Sequence, residues 1–496
     1  MLEEEIRELI EKVRRQQCES QYVEVKSAAK GCPERLYDTL SAFANQDDGG
    51  VILFGLDESQ GFAKVGVYDA QSLQTRLAEA GEEMTPIVRP VVSIYVEEGK
   101  QFVVAEIPPL DVSERPCFKT ARGRLKGAFI RVGEADKPMS EYEVYSYEAY
   151  RWQTHDELRP LPDVTEALID ETLVEAYLAL RQQGRTNFAA SMTREQLWST
   201  MGLLREGRFT MLALLLFGRY PQATFPQLAI VACRVAGEAM GGLGENGERF
   251  LDSVRIEGRL PEMLEGALAF AKRNMRTSIH VSPQTGARED RDEYPLDALR
   301  ESILNALVHR DYSVYTENQP ICLTFFSNRV EIQNPGGLYG RQTVDQLGKT
   351  QPDTRNPALV VAMEALGQTE NRYSGIPRIR RAMAEAGLPE PCFDDTRARF
   401  RVTLYNRGPE PGHGLESAKK HEARSEAALL AFCVTPRTKQ EIADFLGIAS
   451  ISYALRRYVS PLVAKGVLEM ALPETPRSRR QRYQTRSAVD DGRAPQ

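Results

Sequence analysis

The segment Arg407-Gly408-Pro409-Glu410-Pro411-Gly412-His413-Gly414 constrains this chain of 496 residues more than any other stretch. Proline cannot donate a backbone hydrogen bond and clashes with the preceding helical turn, and glycine loses the most freedom on ordering. Two prolines and three glycines in eight residues therefore interrupt any helix or strand, so the chain beyond them must build its own core. Two softer breaks lie upstream. Leu158-Arg159-Pro160-Leu161-Pro162-Asp163 follows an aromatic, helix-like stretch (Tyr142, Tyr145, Tyr147, Tyr150, Trp152) and reads as a linker. The polar run from Ser282 to Glu293, with Pro283 and Gly286, reads as a loop or lid ahead of a strong helix. No repeat period recurs. The breaks give four segments: 1–145, a mostly helical 164–285, 290–406 and 423–486.

Lys and Arg number 63 against 70 Asp and Glu, a net charge of −7, which excludes a globally basic nucleic-acid coat and leaves room for a regional patch. The longest apolar run, Met211 to Phe217, is far too short to cross a bilayer. The opening Met1-Leu2-Glu3-Glu4-Glu5 is acidic where a signal peptide is basic, so a cytoplasmic protein without membrane contact is expected. Seven cysteines form no CxxC pair, which fits reduced thiols.

In the first segment Tyr22 to Lys26 alternates as a strand, Arg35 to Asn45 reads as a helix, and Val51 to Leu56 as a buried strand. This is an α/β (α+β) rhythm. The strand period sets Val23 and Val25 on one face and Glu24 and Lys26 on the other, and Asp57 follows the buried strand. Carboxylates so grouped can hold Mg²⁺ or Mn²⁺, and a lysine can stabilise charge on a phosphate. The same residues also make an ordinary solvated strand face.

Glu19-Ser20-x₃-Glu24-Val25-Lys26, Leu40-Ser41-Ala42-Phe43-Ala44-Asn45, Gly49-Gly50-Val51-Ile52-Leu53-Phe54-Gly55 and Phe129-Ile130-Arg131-Val132-Gly133 together resemble the Schlafen-type AlbA-like domain. In bacterial members that resemblance implies a DNA-binding module. In animal Schlafens it implies a metal-dependent site that cleaves RNA such as tRNA, with Glu19 and Glu24 on its glutamates, Lys26 beside them and Asp57 as the candidate aspartate.

The middle segment is helical at its start (Glu166 to Gln183, Arg194 to Leu204), with one strand at Leu228 to Arg234 and no legible chemistry. From Pro295 to His309 a helix is expected, with Leu296, Leu299, Ile303 and Leu307 as its core stripe. Glu301, Asn305 and His309 recur every fourth residue on the other side, either as an ordinary solvent-facing stripe or as a functional face. A hairpin, Cys322–Phe326 and Val330–Gln333, then leads to Asn334-Pro335-Gly336-Gly337, and Ser374-Gly375-Ile376-Pro377 comes later. Small residues after strands let a ligand approach the backbone.

This order resembles the GHKL nucleotide-binding fold, in the divergent form found after AlbA-like domains in bacterial transcriptional regulators. The resemblance implies ATP and Mg²⁺ as cofactors. It makes Glu301 the general base, Asn305 the Mg²⁺ ligand, Asn334 the replacement for an adenine-reading aspartate, and Gly336, Gly337 and Gly375 the close-approach glycines. Tyr373 stands where that family commonly has glycine, so ATP binding, with at most a weak ATPase, is expected. Gly348-Lys349-Thr350 ends like a phosphate loop, but Thr343 occupies the position where the loop requires glycine, so no helicase motor is expected.

The tail, 423–486, has the spacing of a winged helix, with Thr438-Lys439-Gln440-Glu441 as a capping box and Gly447 ending the first short helix. Ser450, Ser452 and Tyr453 would face DNA bases at the start of the next helix. Arg456, Arg457, Arg477, Arg479, Arg480 and Arg482 would meet phosphates. The same module can serve contacts in a homodimer. The resulting expectation is an ATP-binding, DNA-binding regulator with RNA as the alternative partner, and its rival is a Schlafen-type RNA endonuclease.

Overall fold

The computed structural model describes residues 1–182, 192–244, 247–281, 288–369, 374–406, 426–445, 455–473, 478 and 481–486. The chain packs as two compact units. One holds Met1–Leu110, Cys117–Pro138 and the described part of the tail, and the other holds Asp111–Pro116 and Met139–Arg407.

In the first unit a four-stranded sheet runs in the spatial order Val23–Lys26, Gly50–Phe54, Lys100–Ile107, Val91–Glu97. Its first pair is parallel, with Val25 beside Leu53, and the others are antiparallel. Strand alternation gives the sheet two apolar faces. The helix Glu3–Gln16 covers one with Ile6, Ile10 and Val13, spaced as one helical stripe, against Leu53 and Phe102. The helices Tyr37–Ala44 and Ala70–Glu82 cover the other. Asp69 caps the latter by accepting hydrogen bonds from the Gln71 and Ser72 amides. The central strand stops at Phe54 because Gly55 takes a positive φ of 109° and a side chain there would strike Phe102. Asn45 is fully buried, donating to the Cys117 and Phe129 carbonyls at 3.0 Å each, so it ties the helix end to the hairpin Phe129–Val132/Ala135–Pro138.

In the second unit a six-stranded sheet runs Asp252–Ile256, Ile230–Arg234, Ile321–Phe325, Arg329–Pro335, Arg399–Tyr405, Cys392–Asp395. Only the pairing of Ile230–Arg234 with Ile321–Phe325 is parallel. The segment 164–285 does not stand apart as a mostly helical region. It contributes two strands to this sheet, and one apolar core runs from Leu161 to Leu404. The stretch Leu158–Asp163 is likewise not a free linker, because Leu161 is buried in that core and the Leu161 amide donates to the Phe209 carbonyl. The change of unit falls earlier, after Pro138. There Ser140 and Glu143 form a capping box that starts the helix Glu141–Arg151, whose tyrosines bond within the second unit.

The tail comprises the helices Glu426–Phe432, Lys439–Phe445 and Ser460–Ala464 and a small sheet in the order Arg437–Thr438, Arg482–Thr485, Leu468–Met470. Its capping box forms as read: Glu441 accepts from the Thr438 amide at 2.8 Å, and the Glu441 amide donates to the Thr438 hydroxyl at 3.2 Å. The linker Arg407–Gly414, Gly447 and the first half of the polar run 282–293 (282–287) lie outside the described residues. Among the described residues no helix is long and apolar enough to cross a membrane.

Candidate functional site

Two polar clusters are legible in the sequence. The first lies at the strand Val23–Lys26, where Arg131 enters from the hairpin Phe129–Val132 and is 3% exposed. Its guanidinium donates to Glu24 at 2.6 Å, to Asp136 at 3.0 Å and to Glu19 at 3.2 Å, and it packs over the Phe43 ring. Lys26 pairs with the other Glu24 oxygen, and the Val25 amide donates to the other Glu19 oxygen at 2.9 Å. All four oxygens of Glu19 and Glu24 thus have donors. Three carboxylates face two cations, so one negative charge is left over. Burial, and then repulsion from Glu24, push Glu19 up to about 7, whereas Lys26 and Arg131 outweigh the burial of Glu24 and hold it below its ordinary value.

Asp57 is not the third member. It caps the turn Glu58–Gln60, accepting from the Ser59 backbone amide at 3.0 Å, the Ser59 hydroxyl at 2.6 Å and the Gln60 side-chain Nε2 at 2.7 Å. Asp136, which had no sequence motif to mark it, completes the cluster instead, held by Thr39 at 2.7 Å. Among the described residues no three His, Cys, Asp or Glu side chains are arranged as a metal site. The Arg131 guanidinium fills the charge-compensating position, so Mg²⁺ or Mn²⁺ does not fit Glu19, Glu24 and Asp57 as they are held.

The second cluster lines a cavity in the second unit. The helix Leu296–Val308 buries Leu299, Ile303 and Leu307, and the same period turns Glu301, Asn305 and His309 together into the cavity. Asn305 bonds the Glu301 carboxylate. Burial raises the Glu301 pKa despite the opposing charges of Arg378 and Arg300, and among the described residues Glu301 forms no salt bridge. Gly375 opens the helix Gly375–Glu385 directly against this pair: a Cβ there would collide with the Glu301 carboxylate and stand 3.2 Å from the Asn305 amide. Asn334, 5% exposed, lines the cavity beside Ile332 and Val402. Gly337 is also in the wall, but Gly336 is not. Gly336 takes φ +89° and packs on Asp311, where a Cβ would come within 2.6 Å of the Asp311 side chain, so its role is the turn. Gly348 and Thr350, of the dismissed phosphate-loop imitation, line the cavity too.

Sequence reasoning missed the buried support of this wall. Arg355 donates to Asp311 and to the Gly337 carbonyl at 3.0 and 3.2 Å, and Tyr142 donates to Asp311 at 2.8 Å. Asn356 donates to the Val308 and Arg310 carbonyls at 2.8 and 2.7 Å, satisfying the end of the Glu301 helix. Burial and the nearby Arg355 charge push His309 down to about 4, so its ring is neutral at pH 7. Arg355-Asn356-Pro357 lies within the segment 290–406 that resembles the GHKL fold, but no spacing of charged or polar residues marks its role. With its amide nitrogen on Glu301, Asn305 keeps its carbonyl oxygen for a hard cation, and Asn334 offers an amide beside Ile332, Phe400 and Val402. The residues fit a nucleotide and Mg²⁺. Tyr373 lies outside the described residues.

In the tail, Arg482 is exposed on the strand Arg482–Thr485 and donates to the Pro436 carbonyl at 3.3 Å. Arg456 and Arg457 lie on the turn Leu455–Val459. Ser450, Ser452, Tyr453, Arg477, Arg479 and Arg480 lie outside the described residues.

These features define a multidomain α/β protein with a Schlafen AlbA_2 domain and an ATPase-like domain. The family model described as "Schlafen, AlbA_2" matches residues 19–140. The one described as "Putative ATP-dependent DNA helicase recG C-terminal" matches 318–404, which leaves the Glu301 helix outside its span. A third, "Filamentation induced by cAMP protein Fic-like, C-terminal domain", matches 427–485. Among solved structures, the DIP2311 protein of Corynebacterium diphtheriae is 20% identical with a TM-score of 0.39, over 91% of this chain and 92% of that one. The N-terminal domain of a RecG-related protein of Nitrosomonas europaea is 28% identical with a TM-score of 0.23, over 27% of this chain and 91% of that one. A search of the curated proteins finds no match.

Proposed function

We propose that this protein binds ATP in the cavity of its second unit and uses nucleotide occupancy to set its affinity for nucleic acid, as a transcriptional regulator. The observation that carries the reading is Glu301 and Asn305, one helical turn apart, facing a cavity that Gly375 leaves open to them. Asn305 would hold Mg²⁺, which supplies charge neutralisation for the phosphates. Asn334 would accept from the adenine amine through its carbonyl. Glu301 would orient water, and burial raises its pKa, the direction in which a general base is brought toward neutral pH. The AlbA_2 domain and the tail are the nucleic-acid modules of this reading. In the tail, a strand between short helices, a capping box and a three-stranded sheet are the features that favour a winged helix. Ser450, Ser452, Tyr453, Arg456, Arg457, Arg477, Arg479, Arg480 and Arg482 are its proposed DNA contacts.

A ligand shifts an equilibrium only by its differential affinity for the two states. DNA affinity measured with and without ATP and Mg²⁺ should therefore differ in the wild type and not in Asn305→Ala. Equal affinities in the wild type would remove the coupling from this account.

A further inference from the structure

Residues 117–132 carry Lys119, Arg122, Arg124, Lys126 and Arg131 and no carboxylate, in a chain whose net charge is −7. Arg131 is spent inside the cluster described above. The other four lie on one loop. Lys119 and Arg122 both rest on the ring of Tyr37, 4.8 and 4.7 Å from its centroid. That ring is a fixed platform: it is 7% exposed, begins the helix Tyr37–Ala44 and packs edge-on against Phe129 at 5.8 Å. Cations held over an aromatic face have part of their ordering cost already met. Gly123, at φ +66°, then redirects the chain into the turn Arg124–Gly127, on which Arg124, Leu125 and Lys126 are exposed. Glu83 meets Lys119 at 3.0 Å, but among the described residues no carboxylate pairs with Arg122 or Lys126.

We propose that the loop from Lys119 to Lys126 is a phosphodiester-backbone site of the AlbA_2 domain. The proposal rests on the nucleic-acid-binding reading above and names the phosphate contacts of that domain. Cations spaced two or three residues apart along a loop suit a repeating polyanion, whereas a single phosphate needs donors that converge on one point. DNA and RNA share the backbone chemistry, and the two arms of the test separate them.

The full chain and its Arg122→Glu/Lys126→Glu variant are titrated against a duplex DNA of about 20 base pairs and a single-stranded RNA of about 20 nucleotides at several salt concentrations. Loss of two phosphate contacts should lower the slope of log affinity against log salt by about 1.8 for the duplex or about 1.4 for the single strand. The probe showing that loss identifies the backbone taken, and Arg122→Gln/Lys126→Gln should show a smaller loss of affinity in the same direction. Both exchanged side chains are exposed, so an unchanged melting curve reports an intact fold. A variant that binds both probes with wild-type affinity and slope overturns this site while leaving nucleic-acid binding itself standing. A wild type that binds neither probe overturns both readings.

Discussion

The polar clusters of the two units start alike, each with a glutamate on regular structure beside a partner one turn or one strand period away, and end in opposite states. Glu24 shares its strand with Lys26 and receives Arg131 from a hairpin 107 residues on, so its charge is answered inside the fold. Glu301 shares its helix with Asn305, faces a cavity and has no salt bridge among the described residues. Side-chain spacing alone cannot separate these cases. What separates them is whether the tertiary structure sends a cation to the carboxylate or leaves it a space.

The comparison can be broken most forcefully at Arg131. Arg131→Met removes the guanidinium from three carboxylates and should cost about 3–5 kcal/mol in urea unfolding, because buried charges are left uncompensated. A cost below 1 kcal/mol would mean that the cluster is solvated. Next is the cavity. At about a hundred times its dissociation constant, ATP with Mg²⁺ should stabilise the wild type by about 2.7 kcal/mol, and Gly375→Ala should lose that gain by displacing Glu301.

A smaller effect separates the clusters by pH. Glu19 in the folded chain titrates at about 7, above its ordinary 4.5, so folding favours its protonated form. Its contribution to stability is fully present below about pH 4.5 and is lost as pH rises through 7. The melting temperature should therefore fall less across that window in Glu19→Gln than in the wild type, and parallel curves would contradict the assignment. The smallest effect belongs to Asp57→Asn, which should leave the melting temperature nearly unchanged and Arg131 undisturbed, since Asp57 bonds only its own turn. Consistent with the saturated glutamate oxygens, tRNA incubated with the wild type and Mn²⁺ should remain intact.

Local features were legible in the sequence. The strand Gly50–Phe54, the helices Tyr37–Ala44 and Leu296–Val308 and the Thr438/Glu441 capping box lie within a few residues of their expected bounds, because each depends on neighbours in the chain. What was hidden is long-range. The tyrosines of Glu141–Arg151 looked like the end of the first domain, yet Tyr142 and Tyr150 bond Asp311 and Asp353, 169 and 203 residues away. Arg131 reads as a strand residue until its partners are known. The strands Ile230–Arg234 and Ile321–Phe325 were both visible, but their parallel pairing was not, so one sheet was divided between two segments. At the site, Glu301, Asn305 and His309 all line the cavity, whereas Gly336, on its glycine motif, and Asp57, the candidate aspartate, show a purely structural bond pattern.

The central claim is that the Glu301–Asn305 face is a nucleotide site, and thermal unfolding of the full chain with and without ATP and Mg²⁺, in wild type and Asn305→Ala, tests it most directly. The account predicts a nucleotide-dependent rise in melting temperature for the wild type that Asn305→Ala abolishes while melting normally without nucleotide. No rise in the wild type, or an equal rise in both proteins, would contradict it.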